Sequence, residues 1–139
     1  ILSLRDAENA VADVARFDPF QLSAAWMNGD RARLVRLLDA LAAAETEPVL
    51  PLWALAEDIR TLIRLSAALK QGKSVHSVRN ELKLWGVREQ AAARAAARLN
   101  ASRLTAALQE CARIDRQIKG AEDGDAWTAF ARLISALAA

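Results

Sequence analysis

A single cysteine, Cys111, among 139 residues excludes an internal disulfide and suits a reducing compartment. His76 is the only histidine, so no cluster of imidazole and thiolate ligands can be assembled for a metal. Gly72-Lys73-Ser74 is the one Gly-Lys-Ser run, but Ala67 stands where a phosphate-binding loop has its first glycine, so that loop is not made. No apolar stretch approaches the roughly 20 residues that span a bilayer, and no signal peptide is visible. The formal net charge is only +2 despite a pI near 9.1, too small an excess to argue for nucleic acid by itself. No segment alternates with period two, no block repeats at fixed length, and no low-complexity linker divides the chain.

What is present is alanine, leucine and arginine in helical spacing, a composition for an all-α fold. A chain of this size buries roughly 70% of its unfolded surface. It begins at Ile1 in residues that already read as helix, so it is expected to be a fragment of a longer protein. Leu4, Ala7, Val11 and Val14 define a first short helix over 4–14. Phe17-Asp18-Pro19-Phe20-Gln21-Leu22 is a full helix start: Asp18 as N-cap, Pro19 in the first turn, Gln21 closing a capping box, Phe17 and Leu22 as a hydrophobic staple. It marks a joint between two packed units.

The helix from Pro19 ends near Met27, with Gly29 in the left-handed position and Asp30 capping the next helix, whose stripe is Leu34, Leu37, Leu38 and Leu41. Pro48 opens the longest helix, to about Lys70. Leu52, Leu55, Ile59, Leu62 and Leu69 form its stripe, widened by Val49, Trp53, Ala56 and Ile63, so this helix is expected at the centre of the bundle. Glu57, Arg60 and Arg64 form its polar face. A short helix capped by Ser74 (Val75, Val78 and Leu82 inward), an alanine-rich helix over 87–99 and a helix capped by Ser102 (Leu104, Leu108, Cys111, Ile114 and Ile118 inward) follow. After the acidic loop 121–125, Asp125 caps a last helix bearing Trp127, Phe130, Leu133, Ile134 and Leu137. The expected fold is an all-α bundle of about six to eight helices.

No catalytic, cofactor-binding or metal-binding constellation emerges. Cys111 lies on an apolar stripe and reads as a small buried hydrophobe. His76 reads as a solvated residue on a short helix. Asp115, at the edge of a buried stripe, is expected to pair with an arginine of a neighbouring helix. Arg88, Arg94 and Arg98, with Arg103 beyond, permit two readings: a stripe for phosphates, or solvation of the outer face of an alanine-rich helix. Four tryptophans without a tyrosine are unusual. Core packing is the default for each, and Trp53 and Trp85 are the better interface candidates, one on the flank of the widest stripe and one in a helix joint.

Arg16 to Leu22, then Gly29-Asp30, Glu47-Pro48 and Leu52-Trp53, then Trp85, Arg88, Ile114-Asp115, Lys119-Gly120 and Trp127 form an ordered set over nearly the whole chain. In that set the chain resembles the delta subunit of bacterial DNA polymerase III. The resemblance implies a clamp-loader collar domain over 16–139, with 1–15 as the end of a preceding helical lid, and a joint between them at Phe17, Asp18, Pro19, Phe20 and Leu22. It implies a non-enzymatic, cytoplasmic role without cofactors: assembly with the gamma/tau and delta-prime subunits, and contact with the sliding clamp and DNA only through the complex. No membrane is implied. The expected subunit interface is Trp53, Arg60, Arg64, Trp85 and Arg88. The competing class is a helical DNA-binding module built on the Arg-rich helix 87–99.

Overall fold

A computed structural model of the chain describes residues 17–139. Six α-helices follow one another there: α1 (Pro19–Met27), α2 (Arg31–Ala43), α3 (Val49–Lys70), α4 (Val87–Arg98), α5 (Ala101–Ile118) and α6 (Ala126–Leu137). One turn of 3-10 helix, His76–Val78, stands between α3 and α4, and no strand occurs among the described residues. This is the expected all-α bundle. The helix expected over 4–14 and the domain boundary at 15–16 lie outside the described residues.

Side-chain caps set most of the starts. Asp18 Oδ1 accepts from the Phe20 N–H at 2.9 Å, Asp30 Oδ1 from the Arg33 N–H at 3.2 Å, and Asp125 Oδ1 from the Trp127 N–H at 3.1 Å. Each satisfies a first-turn amide that has no intrahelical partner. The capping box is not closed: Gln21 is exposed, and its side chain makes no hydrogen bond among the described residues. The cap of α5 is Asn100, not Ser102; its Oδ1 accepts from the Arg103 N–H at 2.8 Å. The reason lies one residue earlier. Leu99 leaves α4 in extended geometry (φ −110°, ψ 121°) to bury its side chain, so the chain must restart at Asn100. Asn100→Ala should therefore destabilise the domain by about 1 kcal/mol, and Ser102→Ala by a few tenths at most. Urea denaturation of the two variants checks this.

The short helix expected after Ser74 is reduced to the 3-10 turn. Ser74 Oγ does accept from the Ser77 N–H at 3.1 Å. The helix is not propagated, because Lys83 turns left-handed (φ 56°) and Leu84 is fully buried immediately after it.

The packing centre is α1 rather than the longest helix. The nine residues of α1 touch α2, α3, α4 and α6, whereas α3 packs on α1, α4 and most extensively on α5. Trp26, with 0% of its surface exposed, fills the middle beside Ala25 and Met27. Ala91, Ala92 and Ala95 are buried on α4 and let that helix approach closely. From α3 the core takes Leu52, Leu55, Ile59, Leu62 and Leu65; Leu69 and Val49, expected inward, are exposed.

Two helix ends meet on one arginine. Arg98 Nη2 donates to Trp26 O and Leu137 O, both at 3.0 Å, and Nη1 donates to Met27 O at 3.1 Å. These carbonyls belong to the last turns of α1 and α6, which have no intrahelical donors and carry the negative end of the helix dipole. Gly29 makes the close approach possible. Its φ is +71°, and a Cβ there would stand 3.2 Å from Ala138 O beside the Arg98 guanidinium.

Candidate functional site

Helix periodicity explains why one face of the domain is aromatic and exposed. Trp53, Glu57, Arg60 and Arg64 fall at i, i+4, i+7 and i+11 of α3, and all four are exposed. Trp53 therefore shares the polar face instead of widening the apolar stripe, with 65% of its surface open. Across from it, the turn after Leu84 projects Trp85 (59% exposed) and Val87. Phe20, 64% exposed, completes the face from α1. These residues, with Pro19, Leu82, Lys83 and Arg88, line a groove of about 580 Å³ between α1, α3 and the start of α4. The structure thus joins two sets that are separate in the sequence, the helix start at Pro19-Phe20 and the interface candidates Trp53, Trp85 and Arg88.

The groove has a polar floor that sequence reasoning missed. Asp58 is buried, 6% exposed. Its Oδ2 accepts from Ser23 Oγ and, at 3.3 Å, from Trp26 Nε1; its Oδ1 faces Arg88 Nη2 at 3.4 Å. Desolvation outweighs the help of Ser23, Arg88 and Trp26, and holds the carboxyl above its ordinary pKa of 3.8. The signal available in the sequence was Asp58 standing between Ala56 and Ile59 on a buried face. Its partner Ser23 lies 35 residues away, and no spacing rule connects them. Arg88 sits over this floor, with its Cζ 5.3 Å from the centroid of the Phe20 ring. It is mostly buried (side chain 19% exposed), so it supports the surface from below.

Trp53 is the ridge between this groove and a second one of about 330 Å³, lined by Val49, Leu52, Arg60, Leu108, Cys111 and Asp115 among others. Arg60 is tied to Glu57 of its own helix. Arg64 is exposed, lines neither groove, and has no ion pair among the described residues. A third, smaller apolar recess, about 110 Å³, lies beside the helix start and is lined by Phe17, Asp18 and Leu22 with Leu37 and Leu41 of α2. Phe17 and Leu22 share its wall, as a staple requires.

The remaining chemical candidates have structural places. Cys111 is buried, and burial first of all pushes its thiol up to about 11, away from any nucleophilic role. Asp115 pairs with Lys119 at 2.7 Å, one turn along its own helix, and not with a neighbouring arginine, because Asp115 points to the rim of α5 where that lysine reaches it. His76, exposed, faces Glu89 at 2.8 Å. Glu122 of the acidic loop is tied back to Arg113 and Arg116 of α5. Among the described residues no three His, Cys, Asp or Glu side chains group as metal ligands, and no helix is long and apolar enough to cross a membrane.

Of the α4 arginines only Arg94 stands exposed on the outer face; Arg88 and Arg98 are turned into the domain. Arg88 binds Asp58, Arg94 Nη1 donates to Asn28 Oδ1 at 3.0 Å, and Arg98 clamps three carbonyls. These bonds fasten α4 to the rest of the domain and take Arg88 and Arg98 out of the phosphate stripe, leaving Arg94 and Arg103 exposed.

Two comparisons with known proteins complete the description. A family model for the C-terminal domain of the DNA polymerase III delta subunit matches residues 18–135. No curated protein sequence matches the chain.

Proposed function

Because the chain belongs to the family defined by the C-terminal domain of the DNA polymerase III delta subunit, and so is a domain of a clamp-loader subunit, we propose that it acts as a non-catalytic assembly module. In this reading residues 16–139 pack into the loader's collar beside gamma/tau and delta-prime, and residues 1–15 end a preceding helical lid. The helix start at Phe17–Leu22 sets the angle between the two. The assembled complex, in the cytoplasm, opens the sliding clamp and loads it on DNA; contact with clamp and DNA is made by other parts.

The observation that carries this reading is the exposed aromatic face. Phe20, Trp53, Trp85 and Val87 lie outside a core that is already complete without them. Large apolar side chains gathered at one groove fit a protein interface, where tryptophans are the most frequent anchors. Trp53→Ala in the full-length protein should weaken co-elution with gamma/tau and delta-prime by about tenfold or more. Its unfolding free energy should shift by no more than about 0.5 kcal/mol, since Trp53 is a surface residue. Arg64→Ala, on the same helix face, is the companion variant. Undiminished co-elution of both variants would count against the interface.

A further inference from the structure

We infer that the Phe20–Trp53–Trp85 groove takes a partner segment of defined chemistry: an apolar side chain seated between the two tryptophans, flanked by a carboxylate that meets Arg88 and Lys83. The inference rests on the assembly reading and adds what the partner must carry. The apolar half follows from the lining, where Pro19, Phe20, Leu82, Trp85 and Val87 surround the opening. The acidic half follows from which charges around the groove are already spent. Glu57 is neutralised by Arg60, and Asp58 lies beneath the surface with Ser23, Trp26 and Arg88. Lys83, exposed on the rim, has no ion-pair partner among the described residues.

Arg88 is in surplus as well. A guanidinium offers five N–H donors in a planar fork. Among the described residues only Nη2 is engaged, at 3.4 Å, and Arg88 lines the groove, which leaves the rest of the fork for a ligand there. The Phe20 ring and Asp58 hold the fork in place. A pre-positioned arginine next to an apolar slot selects a carboxylate for its geometry as well as its charge. Lys83 adds a second, mobile cation at the edge. A basic partner would meet Lys83, the cation at this groove without an ion-pair partner among the described residues, and be repelled.

The test uses the full-length protein with its loader subunits, and Lys83→Glu, Trp85→Ala and, as a control on α2, Val35→Ser. Lys83→Glu and Trp85→Ala should each weaken assembly about tenfold or more, with unchanged melting temperature, and wild-type assembly should lose affinity as salt rises. Val35→Ser, exposed and outside the groove, should assemble as the wild type does. A separate measurement titrates 4-phenylbutyrate, and then its uncharged amide, against the wild-type chain. The acid should move the indole N–H NMR signals of Trp53 and Trp85, and the amide should move them less. If wild-type protein assembles while Lys83→Glu and Trp85→Ala do so within about twofold of it, the groove assignment is overturned and the assembly reading stands. If wild-type protein does not assemble, that reading fails, and the titration decides the groove: selective acid-dependent shifts uphold it, and equal shifts with the amide, or none, overturn it.

Discussion

Arg98→Met lowers the unfolding free energy by about 3 kcal/mol, the largest loss expected from any one surface-reaching side chain here. Methionine keeps the length of the apolar stem but removes every donor. Trp26 O, Met27 O and Leu137 O are left facing one another at the meeting of two helix C-termini. Each lost bond was to a charged donor; Trp26 O keeps the Gly29 N–H at 3.1 Å, whereas Met27 O and Leu137 O lose theirs, and a buried carbonyl without a donor is costly. The melting temperature should fall by about 10 °C for a domain of this size. Arg98→Lys should recover less than half of the loss, since a single ammonium cannot span three carbonyls that the guanidinium reaches with two nitrogens. Arg94→Ala, which removes one bond from an exposed arginine to the half-buried Asn28, should cost well under half as much. Differential scanning calorimetry separates the three. A melting temperature for Arg98→Met within about 2 °C of wild type would show that the clamp is incidental.

Asp58→Ala should cost about 3 kcal/mol for a related reason. It strands Ser23 Oγ–H, Trp26 Nε1–H and the Arg88 cation, two of them on the central helix α1. Because Arg88 also carries Phe20, the variant should disturb the groove as well as the core. Asp58→Asn keeps the shape and most of the hydrogen bonding, and should cost less. Comparing wild type with Asp58→Asn across pH isolates the titration of this one carboxyl. Its folded pKa is raised above 3.8, so between the unfolded and folded values the native state binds more protons than the unfolded one. By linkage, the contribution of Asp58 is fullest below about 3.8 and is lost as pH rises through the folded value. The advantage of wild type over Asp58→Asn should therefore shrink on going from acid to neutral pH, and then level off. Urea titrations at a series of pH values measure it. An advantage that grows with pH over that range would mean the three donors outweigh the burial.

Much of the fold was legible because it is local. The starts at Asp18, Asp30 and Asp125 need only a cap within a few residues of the amide it serves, and the left-handed turn at Gly29 needs only its own backbone freedom. The stripe Leu34, Leu37, Leu38 and Leu41 is periodic, and its members are buried or half-buried. Ser102 does not serve as a cap because the burial of Leu99 moves the restart two residues earlier. Trp53 falls outside the apolar stripe it was expected to widen, because composition cannot tell a tryptophan facing the core from one facing a partner.

By itself the sequence determined the six described α-helices, the order in which they come, the family they belong to, and the lack of a complete glycine loop or an internal disulfide, since each depends on neighbours in the chain. Which helix lies at the centre, what the α4 arginines hold, and how Phe20, Trp53 and Trp85 come to share one groove over Asp58 were decided by tertiary structure alone. Those contacts join residues 30 to 72 positions apart, and their energies depend on which charges and carbonyls folding takes out of water.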